Sequence, residues 1–137
     1  IIGLAFFIPL LIDTGGNTSS QAATLIIRAL ATGELTVKKW FTVLKKELFV
    51  GILLGGVLGV ILYLWCTFWK VGSEIGLVVG VSVILIVVWA NMIGSLLPIF
   101  LFRLNLDPAI VSSPLLTTLL DITGLVIYFS IATFVLF

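Results

Sequence analysis

Ile75–Phe102 reads IGLVVGVSVILIVVWANMIGSLLPIFLF, a stretch without one charged side chain. A helix needs about 20 predominantly apolar residues to cross a bilayer, and this run exceeds that length. Three similar runs flank it. Leu48 to Trp69 carries no charge, Ile1 to Ile27 carries only Asp13, and Pro108 to Phe137 carries only Asp121. Composition agrees with this reading: the 137 residues are 61% hydrophobic and 9% charged, with a mean hydropathy of +1.38. A soluble domain is about a quarter charged. Too little polar surface exists to cover a soluble globule, so the excess apolar surface faces lipid. The predicted fold is an all-α integral membrane protein, a polytopic helical bundle forming one domain over residues 1–137. Its four spans are expected at about 1–29, 48–69, 75–102 and 108–137.

The connections set the orientation. Arg28, Lys38, Lys39, Lys45 and Lys46 lie between the first two spans, Arg103 lies between the last two, and only Lys70 lies on the other side. By the positive-inside rule the first group is cytoplasmic, and both ends of this chain face outward. The chain opens on Ile with no signal-peptide pattern, so it reads as a piece of a longer protein with a preceding span missing. Within the first connection, Val37, Trp40, Phe41 and Leu44 recur at helical spacing among the lysines. A short amphipathic helix over about 36–46, capped by Thr36, is expected at the membrane interface. Trp65, Phe68 and Trp69 mark the opposite interface.

Glycines are spaced for helix packing. Gly51, Gly55 and Gly59 form a four-residue ladder in the second span, and Gly76 and Gly80 repeat it in the third; such stripes let backbones approach closely in lipid. Asn91, in the third span, is expected to hydrogen-bond a neighbouring helix.

The apolar pattern breaks most sharply after Pro9, where no residue from Asp13 to Gln21 has an aliphatic side chain. Such a stretch cannot face lipid without large cost. Two readings remain open: a kinked helix bonded to its neighbours, or a discontinuous helix lining a water-filled path, with Gly15-Gly16 weakening it further. On a helix, Asp13, Asn17 and Gln21 share one face, and so do Ser113, Thr117 and Asp121. Each stripe presents side-chain oxygens and one carboxylate. Hard oxygen ligands suit Mg²⁺ or Ca²⁺. Helix rise places Asp13 about 22 Å above Arg28 and Asp121 about 20 Å above Pro108, so the two carboxylates are expected at nearly one depth. Asp13 either joins Asp121 there or turns away to bond a neighbouring helix.

Other functions are excluded or weakened. A net charge of +1 gives no bulk attraction to nucleic acid. Histidine is absent and Cys66 is the one cysteine, which excludes zinc sites and His-dependent catalysis within the chain. Leu10-Leu11-Ile12-Asp13-Thr14-Gly15 mimics an aspartic-protease signature, but those enzymes are soluble β proteins, and a membrane protease would need Tyr-Asp and Gly-x-Gly-Asp. Leu119-Leu120 precedes Asp121 instead. The chain is not read as an enzyme.

The stretch Pro9…Thr14-Gly15-Gly16-Asn17…Gln21-Ala22-Ala23-Thr24-Leu25-Ile26-Ile27-Arg28-Ala29-Leu30 resembles the MgtE family of magnesium channels. So do Ala90-Asn91…Gly94…Leu97-Pro98, Leu106-Asp107-Pro108-Ala109-Ile110-Val111-Ser112 and Asp121-Ile122-Thr123-Gly124-Leu125. The resemblance runs in order through essentially the whole chain. It implies a homodimer in a bacterial inner membrane with five transmembrane helices per subunit, of which this chain supplies the last four. It also implies cytoplasmic domains that sense magnesium and close the pore, absent from this sequence. By the same resemblance the pore follows the dimer axis, Asp121 binds Mg²⁺ with the backbone carbonyl of Thr117 close by, and Asn17 faces the pore. Gln21, Ser113 and Thr118 are the other expected lining residues. This chain departs from the family in having Ser113 where Asn is usual, Leu120 for Ser, and Asp13 for Gly. The added carboxylate at Asp13 makes it a further expected metal ligand. The function expected is Mg²⁺ transport, with other divalent cations possible as cargo. The alternatives are an ion-coupled secondary transporter using the broken first span as its binding site, and a purely structural membrane subunit.

Overall fold

The computed structural model describes residues 2–110 and 113–137. Every regular element among them is a helix: α1 (Ile2–Ala5), α2 (Ile8–Ala31), α3 (Trp40–Phe68), α4 (Ser73–Arg103) and α5 (Ser113–Leu136), with single 3-10 turns at Val37–Lys39 and Pro108–Ile110.

The helices end through left-handed residues. Beyond α3, Lys70 adopts φ 55°, and the Val71 and Lys70 amides donate to the carbonyls of Cys66 at 3.0 Å and Thr67 at 3.2 Å. Beyond α4, Asn105 adopts φ 57°, and Leu106 and Asn105 donate to Leu101 and Phe102 at 3.0 and 3.1 Å. Both are Schellman closures, which satisfy carbonyls that a helix end otherwise leaves unpaired.

α4 lies at the centre, packed against α2, α3 and α5, whereas α3 makes its extensive contact with α4 alone. The α3–α4 seam is antiparallel. Gly51 faces Val88, Gly55 faces Ile84, Gly59 faces Gly80 and Tyr63 faces Gly76. Each step of four along α3 is answered by a step of four back along α4. At the tightest point a Cβ on Gly59 would lie 2.8 Å from the Gly80 carbonyl oxygen. α2 runs parallel to α4, with Gly15 against Ile86 and Ser19 against Gly94, where a Cβ on Gly94 would meet the Ser19 carbonyl oxygen. α5 runs antiparallel to α2: Thr117 abuts Gly16, and the Tyr128 hydroxyl donates to the Leu4 carbonyl at 2.9 Å.

The outer face of α3 carries Phe49, Ile52, Leu53, Val57, Val60 and Ile61, each more than half exposed. Leaving such a side chain in water rather than burying it costs about 1.5–3 kcal/mol. Six sum to about 9–18 kcal/mol, comparable to the whole stability of a domain, about 5–15 kcal/mol. This face is therefore shielded from water. Among the described residues three segments are long and apolar enough to cross a membrane: Val37–Phe68, Ser73–Arg103 and Pro114–Leu136. α2 is not one of them, because Asp13–Gln21 dilutes its apolar character.

Three local expectations need correction. The first span is not broken at Gly15-Gly16: α2 is continuous from Ile8 to Ala31, and the interruption falls earlier, at Phe6-Phe7. Pro9 sits in the first turn of α2, where its missing N–H is not needed. The segment at 36–46 is not a separate helix, since α3 continues from Trp40 through Phe68; Leu44 to Phe49 contains neither Gly nor Pro to turn the chain. Thr36 stands at the N-cap position of the 3-10 turn, but its side chain makes no capping bond.

Candidate functional site

α2 has two faces. Leu11, Gly15, Gly16, Ser19, Ala22, Ala23, Ile26 and Leu30 are buried, and these small residues let α4 and α5 approach. The opposite face exposes Asp13, Asn17, Gln21 and Thr24. The Asn17 amide Nδ2 donates to Asp13 Oδ2 at 3.0 Å, one helical turn away, which orients the carboxylate along the face.

Where α2 meets α5, an open cleft of about 660 Å³ is lined by Pro9, Leu10, Ile12, Asp13, Gly16, Asn17, Thr117 and Asp121. Asp13, Asn17, Thr117 and Asp121, picked out separately in the sequence, thus share one cleft. Gln21 does not line it; with Ser20, Thr24 and Leu25 it borders a shallower depression of about 390 Å³. Thr118 is exposed and also absent from the lining, its hydroxyl donating to the Pro114 carbonyl at 2.9 Å. The side chain of Ser113 lies outside the described residues.

Two contributors were not picked out from the sequence. Gly16 lines the cleft, and a Cβ there would stand 3.1 Å from Thr117 Cγ2, so glycine sets how closely α5 approaches. Its signal was the Gly15-Gly16 pair, which reads equally well as a weak point. Behind the cleft, Trp89 Nε1 donates to Thr123 Oγ1 at 3.1 Å, and Thr123 donates in turn to the Leu119 carbonyl at 2.8 Å. This bond ties α5 to α4 two residues beyond Asp121. Asn91, in contrast, belongs to the packing seam: its Nδ2 donates to the Glu47 carbonyl at 3.3 Å.

The cleft offers oxygen acceptors. The Thr117 hydroxyl spends its proton on the Pro114 carbonyl at 3.0 Å, leaving its lone pairs available. Among the described residues the Asp121 carboxylate has no hydrogen-bond or ion-pair partner, and no three His, Cys, Asp or Glu side chains cluster. One chain therefore supplies carboxylates on an open wall rather than a closed cage. That arrangement suits a cation that keeps much of its water, as Mg²⁺ does when held through one or two carboxylates.

Known proteins place the chain. The family described as divalent cation transporter, MgtE, matches residues 8–131. A protein of Thermus thermophilus named magnesium transporter MgtE is 50% identical over 99% of this chain. Proteins of the same name from Bacillus subtilis and Enterococcus faecalis are 38% and 33% identical over 97% and 95% of it. The chain spans about 30% of the length of the first two of these relatives and 29% of the third. Members of this family move ions and are not enzymes. Its sequence match and its bundle of apolar helices agree that the chain belongs to the MgtE family of divalent cation transporters.

Proposed function

We propose that this chain is the ion-conducting part of a magnesium transporter, working as a homodimer in the bacterial inner membrane with the pore along the dimer axis. One observation carries the reading: the oxygen-bearing face of α2 and the carboxylate of Asp121 are turned away from the chain's own core, into a cleft open at its outer surface. Polar side chains facing lipid are costly. A second copy related by a two-fold axis would enclose the cleft and bring two Asp121 carboxylates, a charge of −2, to one divalent cation. Asp121 and the carbonyl of Thr117 then hold the ion, Asp13 contributes through the ion's water shell, and Asn17, Gln21, Ser113 and Thr118 border the path.

In this reading α2 is a fourth crossing, because it runs alongside α4 and must share the same layer. The lysine-rich end is cytoplasmic and both chain ends are extracytoplasmic. The relatives are more than three times as long, and cytoplasmic gating domains in the full-length protein belong to the proposal. The rival reading, a coupled transporter with a broken-helix site, would have to use the interruption at Phe6-Phe7, since α2 is continuous through the polar stretch.

The test is ion flux into reconstituted vesicles. Asp121→Ala should abolish or sharply reduce Mg²⁺ uptake and loosen discrimination against monovalent ions while the protein still folds. Near-normal flux with intact discrimination would overturn the assignment. Single-channel current separates a channel from a carrier.

A further inference from the structure

A second cavity lies at the lysine-rich end of the bundle, away from the ion cleft's lining residues. It encloses about 260 Å³ between the start of α3 and the end of α4, and is lined by Val37, Trp40, Leu96, Ile99, Phe100 and Arg103. Leu96, Ile99, Phe100 and Arg103 form one stripe at helical spacing on α4. Ile99 is buried in the cluster with Ile26, Leu30 and Val43, and Trp40 forms an exposed wall. The only charged group in the lining is the Arg103 guanidinium, and no carboxylate accompanies it. Among the described residues the Arg103 guanidinium has no hydrogen-bond or ion-pair partner, and neither do the ammonium groups of Lys38 and Lys39, beside the cavity in the 3-10 turn.

We propose that this cavity binds an anionic phospholipid, with one acyl chain against Leu96, Ile99 and Phe100 and the phosphate on Arg103. Charge selects the occupant: an apolar wall of Leu96, Ile99 and Phe100 ends at a guanidinium with no carboxylate beside it. Apolar walls leading to an unpaired cation at the membrane interface match a lipid tail joined to a phosphate. Basic pockets between transmembrane helices recognise anionic headgroups in this way, and each nearby basic residue enriches anionic lipid roughly five-fold. Arginine suits phosphate through its planar fork of donors. The site depends on the chain lying in a membrane, not on which ion it carries.

Trp40 reports on its own site. The whole chain is placed in phosphatidylcholine vesicles containing brominated phosphatidylglycerol or, at equal mole fraction, brominated phosphatidylcholine. Quenching at Trp40 is taken as the difference between the native protein and Trp40→Phe. The expected result is several-fold stronger quenching by the brominated anionic lipid. Arg103→Gln should remove that preference while quenching by brominated phosphatidylcholine persists, and Arg103→Lys should keep part of it. Leu96→Trp, which fills the cavity, should lower quenching by both. Equal quenching by the two lipids, or a preference that survives Arg103→Gln, overturns the proposal. Displacement of the lipid by soluble glycerol phosphate would also overturn it, by showing that the headgroup binds without its tail.

Discussion

Gly55 and Gly56 are neighbours on α3 with opposite surroundings, and exchanging each for alanine measures what the α3–α4 seam contributes. A Cβ on Gly55 would lie 2.9 Å from Ile84 Cα and 3.1 Å from Ile84 O, both backbone, whereas a Cβ on Gly56 meets nothing within 4 Å. Comfortable carbon–carbon contact is about 3.5–4.0 Å, so Gly55→Ala forces α3 away from α4 by about 0.6–1.1 Å. No side chain can swing aside to relieve it. Overpacking of this kind costs about 1–3 kcal/mol. Both variants gain the same helix propensity, about 0.8–1.0 kcal/mol, so it cancels in the comparison. Gly55→Ala should therefore be less stable than Gly56→Ala by about 1–3 kcal/mol, roughly a five- to 150-fold difference in unfolding equilibrium. Reversible unfolding in mixed detergent micelles, followed by helical circular dichroism, reads this directly. Equal stability of the two variants would refute the close-approach argument, since propensity alone treats them alike.

Further outcomes follow from the cleft and the bundle. Asp13→Asn should weaken Mg²⁺ binding roughly ten- to a hundred-fold if its carboxylate holds the ion's water, on the scale of a charged hydrogen bond at about 1.5–3 kcal/mol; unchanged affinity in a metal titration returns Asp13 to a structural role. Tyr128→Phe should cost about 0.5–1.5 kcal/mol, the modest end because the Leu4 carbonyl keeps the Phe7 amide at 3.2 Å; amide exchange at Phe7 and Ile8 should show no large loss of protection. Cysteine placed at Lys45 should react with an impermeant reagent only from the cytoplasmic side. The native thiol adds little background, since Cys66 is fully buried, and external labelling would reverse the orientation.

That this chain is helical and lives in lipid was legible in its residues, because hydropathy over a charge-free run such as Ile75–Phe102 is a local property. The glycine ladder was legible for the same reason: helical spacing puts Gly51, Gly55 and Gly59 on one face whatever they touch. Their partners were not. The second and third spans read as equally apolar, yet α4 is packed against three helices while α3 leaves its outer face uncovered by the rest of the chain, a difference set by packing rather than composition. The same holds for Gly15 and Gly16. Propensity alone makes them a break, but in the bundle they bring α2 against Ile86 and Thr117, and close packing sustains a continuous helix. Depth along a span could be counted, so Asp13 and Asp121 were expected at one level. Rotation about the helix axis could not, and only the docking of α2 on α5 turned both carboxylates toward one cleft.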